Sequence, residues 1–502
     1  MASKQTAEVS VRILIDEAKK RVVCAEAGND FVDILFSFLT LPMGTIVRLI
    51  RNQQSSQEAQ IGCMNSLYRS VENLSTSYLQ TDACKDMLLH PRTLCEIICR
   101  SLKVNIDDTK PTKYFICSDS ACKYKLLSNY VNTKCKCGKL LNREIYASGS
   151  GSNANATDEV FVKQSAAYIV SDNLQVMVST PLALVEFLGN VGIKDINSLE
   201  EKVVKVGSEQ ILNLLKHSLL SESLLTDVFL PNERFNSKRR KLLEQRDNQF
   251  ISQNIPGADT NGSMAVKIMV RKSDGKALCA EAMEDFIDLL FSFLTIPLAN
   301  VLKCLDGKSS LGCVENLYKS LQVLNNKWFV TTHEVSWSPN LQYPPRSSHE
   351  LLLNPGLGPK FRCSSQPFQL EERNASYYCQ SKSLGVCSLT FKWPGINPGE
   401  ALTNLILIDP KTSNLEANSE NFVKRPTVFL VSDGLVVQTS VSTTSSISYL
   451  KGLDVPIEDI EEHVIKINKQ EALNLLKAAL ITTSALTNAL NLPSSRKTKQ
   501  EL

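Results

Sequence analysis

The chain has 502 residues, 43% hydrophobic and 21% charged, an ordinary globular balance with length for two to four domains of ~100–200 residues each. Its 55 basic and 52 acidic side chains leave a net charge of +3, so no global field draws in nucleic acid or an anionic membrane, and any such binding has to be local. No run approaches the ~18 apolar residues of a membrane span and no signal-peptide-like stretch opens the chain, so the expectation is an intracellular protein without membrane contact, its 15 cysteines reduced because cytosolic disulfides are rare.

In chain order, Val11, Ile13 and Ile15, then Val22 and Cys24, alternate around a charged turn and predict a β-hairpin. Phe31, Leu35, Phe38 and Leu39 follow at i, i+4, i+7 and i+8, the apolar stripe of a helix, which Pro42 ends or kinks. A second amphipathic stretch, GCMNSLYRSVENL, starts at Gly62. A lysine-rich cysteine segment spans 114–143, and a Gly/Ser/Asn stretch covers 147–158. A hairpin with Asp172-Asn173 at its tip comes next, then a short strand-like VVKV and a helical run over Ile211–Leu225.

The series then starts again. Cys24–Pro42 (CAEAGNDFVDILFSFLTLP) and Cys279–Pro297 (CAEAMEDFIDLLFSFLTIP) agree at 14 of 19 positions. Ile268 and Val270 precede the turn Ser273-Asp274-Gly275, the helix stripe recurs at Phe286, Leu290, Phe293 and Leu294, and GCVENLYKSLQVL at Gly312 repeats the second amphipathic stretch. Asp433-Gly434 repeats the hairpin tip and Leu473–Leu486 the closing helical run. The expected organisation is therefore α+β: module 1 over 9–230, a polar linker over 231–263 and module 2 over 264–491, each of β-hairpins packed with amphipathic helices, with a small zinc-ribbon-like insert in the first.

The insert carries the one chemical signal. Cys117-x4-Cys122-x12-Cys135-x-Cys137-Gly138 offers four thiols in two close pairs, the supply a tetrahedral zinc needs, although a Cys-x-Cys pair is tighter than the common spacing. Four thiolates fill the shell and leave no open position for water or substrate, so the zinc expected there, one ion, is structural. Lys113, Lys123, Lys125, Lys134, Lys136, Lys139 and Arg143, interleaved with Tyr114, Phe115, Tyr124 and Tyr130, could also hold phosphates and stack bases. Module 2 keeps Cys379 and Cys387 but has no Cys-x-Cys-Gly, so no metal is expected there.

The CAEAG-DF-D-LFSFLTLP run, the GC-x3-LY segment, the Cys-x-Cys-Gly knuckle and the LLK run after a VSD hairpin together resemble the plant domain-of-unknown-function 674 family over essentially the whole chain. The resemblance implies a plant source and a duplicated architecture. It brings no activity, substrate or catalytic residue.

No catalytic residue is expected. Glu26, Asp30 and Asp33 recur as Glu281, Asp285 and Asp288, but at the start of an apolar-striped helix, where carboxylates cap free amides and complement the dipole. His90, His217, His333, His349 and His463 are scattered. Cys24, Cys63, Cys279 and Cys313 recur within apolar patterns and read as buried core thiols. Lys238-Arg239-Arg240-Lys241 in the linker has the composition of a nuclear-import signal, which adds the nucleus to a cytoplasmic expectation. The final Lys499-Gln500-Glu501-Leu502 resembles a retrieval signal of the endoplasmic reticulum, without meaning for a chain expected to stay outside it. What remains is an interaction or scaffold protein with an unidentified protein partner, the alternative being a zinc-stapled nucleic-acid-binding protein that uses 113–143.

Overall fold

The computed structural model describes residues 7–53, 60–93, 95–147, 159–230, 264–331, 347–372, 377–381, 387–390, 401–412, 420–439, 443–490 and 492. Strands β1 (Val9–Asp16) and β2 (Arg21–Ala27) form the first hairpin and lead into α1 (Asn29–Ser37). A 3-10 turn at Phe38–Thr40 ends this helix, and Pro42, at φ −65°, opens α2 (Met43–Arg51). Proline fits there because the first turn of a helix has no partner for its missing amide hydrogen. Helices α3 (Met64–Asn73), α4 (Asp82–Leu89) and α5 (Glu96–Cys99) follow. The cysteine segment supplies β3 (Tyr114–Cys117), β4 (Leu126–Ser128), β5 (Thr133–Lys134) and β6 (Leu140–Ala147). Then come β7 (Tyr168–Ser171), β8 (Val176–Val178), α6 (Pro181–Asn190), β9 (Leu199–Val206), α7 (Ser208–Leu220) and α8 (Leu224–Phe229).

The second half opens with β10 (Met264–Arg271), β11 (Ala277–Met283), α9 (Glu284–Ser292), α10 (Leu298–Cys304), α11 (Val314–Val323) and α12 (Ser348–Leu353). It continues with β12 (Tyr377–Ser381), β13 (Cys387–Thr390), β14 (Ala401–Leu407), β15 (Val428–Ser432) and β16 (Val437–Thr439). It closes with α13 (Thr443–Gly452), β17 (Ile460–Ile467), α14 (Lys469–Ile481) and α15 (Ala485–Ala489). The linker 231–263 lies outside the described residues.

The fold is α+β with three sheets among the described residues. Two are five-stranded, ordered β8-β7-β2-β1-β9 and β16-β15-β11-β10-β17. Each carries a register shift at the same place in its central hairpin, between Leu14 and Ile15 in one and Met269 and Val270 in the other. The tip aspartates expected in the outer hairpins also hold the last helix of each half. Asp172 accepts hydrogen bonds from the Thr226 amide and hydroxyl, both at 2.8 Å, and Asp433 does the same for Thr487 at 2.8 Å.

The two halves share one hydrophobic core, a continuous cluster that takes Phe31, Leu35 and Phe38 from one and Phe286, Leu290 and Phe293 from the other. Backbone hydrogen bonds cross between them in reciprocal pairs. The Met43 amide donates to Ile296 O and the Leu298 amide to Leu41 O, both at 3.0 Å, around the bridged prolines Pro42 and Pro297. Lys163 donates to Trp328 O and Val330 to Phe161 O, both at 2.9 Å. Gln80 donates to Phe422 O at 2.8 Å and Lys424 to Tyr78 O at 2.9 Å. Such exchange, in which each half offers the other the surface it receives, is the pattern of an isologous dimer interface, here within one chain.

The third sheet also draws on both halves. Its order is β13-β12-β14-β4-β3-β6-β5, and β13 pairs again with β6, so six of its strands close on themselves. Closure removes the exposed edges that short strands would otherwise present. The cysteine segment, expected as a small insert of its own, is therefore joined edge to edge with strands of the second half, β4 to β14 and β6 to β13. Ile116, Leu127 and Ile145 from one side and Tyr377, Cys379 and Leu405 from the other bury against one another.

Candidate metal centre

Cys117 ends β3, where the Asp119 amide donates to its Sγ at 3.4 Å, and a turn closed by the Cys122 amide on Asp119 O at 3.2 Å brings Cys122 back toward it. Cys135 and Cys137 lie on a second turn after β5: the Gly138 amide donates to Cys135 O at 2.9 Å and the Cys135 amide to Lys139 O at 2.8 Å. Gly138 has φ +86° with open space around its Cα, so the turn requires glycine for its backbone angle rather than for room.

These two turns bring the four sulfurs within 4.8 Å of one another. Cys117 Sγ and Cys137 Sγ are 3.5 Å apart, as are Cys122 Sγ and Cys135 Sγ. A disulfide would need about 2.05 Å, whereas a tetrahedron with Zn–S bonds of about 2.3 Å sets its sulfurs about 3.8 Å apart. These two pairs each join one turn to the other, so a metal held here would pin the two turns together. Beneath the cluster Cys117 and Cys135 are buried with Phe115, Leu126, Leu141 and Ile408. Burial pushes the Cys117 thiol up and the Cys135 thiol up to about 12, while Cys137, at the surface, is lowered to about 7 by the Lys139 backbone amide.

The basic residues around the site are all exposed. Of them Lys139 pairs with Asp119 at 2.9 Å and Lys113 with Glu144 at 3.1 Å, both at the surface. Of the four interleaved aromatics only Tyr124 is exposed, with Lys123 Nζ 5.6 Å from its ring centre. Phe115 and Tyr130 are buried, and the Tyr114 ring lies against Tyr377 with centroids 5.8 Å apart.

In the second half Cys379 lines the closed sheet and is disulfide-bonded, against the expectation that every cysteine is reduced, and Cys363 is buried beside Asn421, while the Cys387 side chain lies outside the described residues. The four cysteines of the first half form the one cluster of metal-ligating side chains found among the described residues. Cys24, Cys63, Cys279 and Cys313 are buried, as their apolar surroundings suggested. His90, His217, His349 and His463 lie on separate elements, and His333 is outside the described residues, as are the basic run 238–241 and the last four residues.

The paired carboxylates part company. Glu26 meets Arg12 at 3.5 Å, Asp30 meets Lys103 at 3.1 Å and Asp285 meets Arg425. Asp33 and Asp288, expected as helix caps, are fully buried one turn inside α1 and α9, and the residue capping α1 is Gly28. Asp33 instead accepts three remote backbone amides: Val160 at 3.0 Å on Oδ2, and Phe161 and Val162, both at 2.8 Å, on Oδ1. Asp288 Oδ1 accepts Phe422 at 2.9 Å and Val423 at 3.0 Å. Those segments are the ones that cross to the other half, so each aspartate fixes an arm that its half extends into the partner. Burial raises Asp33 to about 7 and Asp288 to about 8 against the opposing pull of the amides.

Residues 5–470 match a family described as "Protein of unknown function (DUF674)". The chain belongs to this family. No curated protein and no solved structure matches it. For this DUF674 chain the chemistry has to be read from the side chains themselves, and no helix among the described residues is long and apolar enough to cross a membrane.

Proposed function

We propose that this chain is a non-enzymatic interaction protein built from two copies of one module, with one structural Zn2+ held by Cys117, Cys122, Cys135 and Cys137. The observation that carries the metal reading is the packing of four sulfurs within 4.8 Å by two tight turns, with two contacts of 3.5 Å bridging the turns. In that role zinc would supply folding energy and no reactive position, since all four ligands are protein sulfurs. Two like surfaces in one chain can raise avidity without new chemistry, and the recurrence of the same exposed apolar positions, Ile196 with Ile457 and Val203 with Val464, supports that reading.

Elemental analysis of the full chain purified without chelator tests the metal; a chain with no bound zinc defeats it. The nucleic-acid alternative is left with seven exposed basic side chains, two of them, Lys113 and Lys139, in surface ion pairs, and with Tyr124, because the other aromatics are engaged in packing. Salt-dependent retention on immobilised RNA, lost on changing Lys123, Lys125, Lys134 and Lys136 to glutamate, would favour it over a protein partner. We place the protein in the cytoplasm, with nuclear import through 238–241 a matter for localisation of a Lys238→Ala/Arg239→Ala variant.

A further inference from the structure

The outermost strands of the two five-stranded sheets, β9 and β17, each pair on one side only among the described residues, with β1 and β10. By register with β1 and β10, the row on the core side of each strand, of which Glu200 and Lys202 are themselves exposed, alternates with an outward row that reads Glu201, Val203, Lys205 on β9 and Glu462, Val464, Lys466 on β17. Both valines are largely exposed, Val203 at 65% and Val464 at 63%. Each strand is preceded by a 3-10 turn that exposes an isoleucine, Ile196 at 64% and Ile457 at 88%. An exposed apolar side chain occurring singly needs no explanation. The same two positions exposed in both halves, on strands that end their sheets, call for one.

We infer that β9 and β17 are docking edges for a second copy of this chain, joined by antiparallel strand addition centred on the valines. Charge selects that occupant. In each strand a glutamate stands two residues before the valine and a lysine two residues after it, on the same face. Antiparallel pairing about Val203 sets Val203 against its counterpart and Glu201 opposite Lys205 twice, because side chains on one face recur every second residue. Pairing β9 with β17, or β17 with β17, gives the same three cross-strand pairs. Lysine on a sheet edge ordinarily opposes such pairing; here each lysine meets a glutamate in the antiparallel register and a like charge, Lys205 on Lys466, in the parallel one. The groups now facing these charges are weak competitors at the surface: Arg12 lies 3.9 Å from Glu201, Glu8 3.5 Å from Lys205 and Lys267 3.9 Å from Glu462. With two such edges per chain, association can propagate, which gives an interaction protein a means of building an assembly from itself.

The test is sedimentation velocity of the full chain over a wide concentration range at low and high salt. Mass that rises with concentration, and less so in high salt, is expected. Glu201→Lys with Glu462→Lys should abolish the rise, as should Lys205→Glu with Lys466→Glu in a separate chain, and mixing the two charge-reversed chains should restore it. Val203→Lys with Val464→Lys, which sets lysine against lysine at the centre of the pairing, is the second variant should a charge reversal fail to fold, and it should remain monomeric. A wild-type chain that stays monomeric throughout overturns the inference. So does self-association that survives these variants, or a mixture of charge-reversed chains that stays apart. Zinc content is measured in parallel, so loss of the metal site would be distinguished from loss of the edge contact.

Discussion

Replacing Asp33 and Asp288 in turn by asparagine should give unequal costs, although the two residues are equivalent in sequence. Both oxygens of Asp33 are used, Oδ2 by the Val160 amide and Oδ1 by Phe161 and Val162. An asparagine keeps one acceptor and turns an amino group toward whichever backbone N–H the other oxygen served. That leaves a buried donor unpaired, at a cost of about 1–3 kcal/mol, with donor facing donor in addition. At Asp288 only Oδ1 accepts, and Oδ2 is buried without a partner. The amino group that Asp288→Asn introduces therefore displaces no hydrogen bond, and the cost should stay below about 1 kcal/mol.

Stability at the second site should also vary with pH. Burial, followed by the Asp285 charge and opposed by Arg425 and the two amides, raises Asp288 to about 8. Between about pH 4, where an unfolded aspartate loses its proton, and pH 8, the folded state still holds it. The stability contributed is therefore full below about pH 4 and is lost as pH rises through 8. Asp288→Asn removes that loss, so the variant should gain on the wild type as pH climbs from 5 to about 9. Urea denaturation midpoints of the wild type and both variants at several pH values measure this. Equal costs at both sites, or an Asp288→Asn chain that weakens relative to wild type as pH rises, would refute the reasoning.

Three further outcomes are expected. Gly62 and Gly312 sit at φ +46°, and a Cβ there would lie 2.5 Å from Ala479 O and 2.6 Å from Ser218 O across the halves; alanine at either should cost more than the roughly 1 kcal/mol that the same change gains where the backbone angle suits alanine, read by thermal melting. Leu35→Ala, at a fully buried site, should cost roughly 2–5 kcal/mol and, because the core is shared, should lower one common unfolding transition rather than that of its own half, visible by calorimetry. Cys135→Ser should open 114–147 and the strands β12, β13 and β14 together to limited proteolysis while the five-stranded sheets persist, because β4 and β6 pair directly with β14 and β13.

The local elements were legible where one physical signal dominates. The alternation around Val11–Cys24 became β1 and β2, the stripe Phe31–Leu39 became α1 with its 3-10 extension, and the cysteine spacing brought its sulfurs together. What periodicity could not carry was contact between distant parts of the chain. Asp33 looked like a cap because its partners, the amides of 160–162, lie more than a hundred residues on. The recurrence of a carboxylate inside an apolar stripe, one turn too late for a cap, was the available clue. Likewise the weak, short strands β12 to β14 gave no sign that they would complete the sheet begun by the cysteine segment, since a strand signal says nothing about which edge it will join. Gly62 and Gly312 recurred in sequence, but only the close approach of the other half explains why a side chain is excluded there.

The metal is the most direct point of test. Elemental analysis of the full chain, purified without chelator and measured beside its Cys135→Ser variant, should find one zinc per wild-type chain and a marked loss of zinc in the variant. A wild-type chain free of zinc, or equal zinc in both, would contradict the proposed centre.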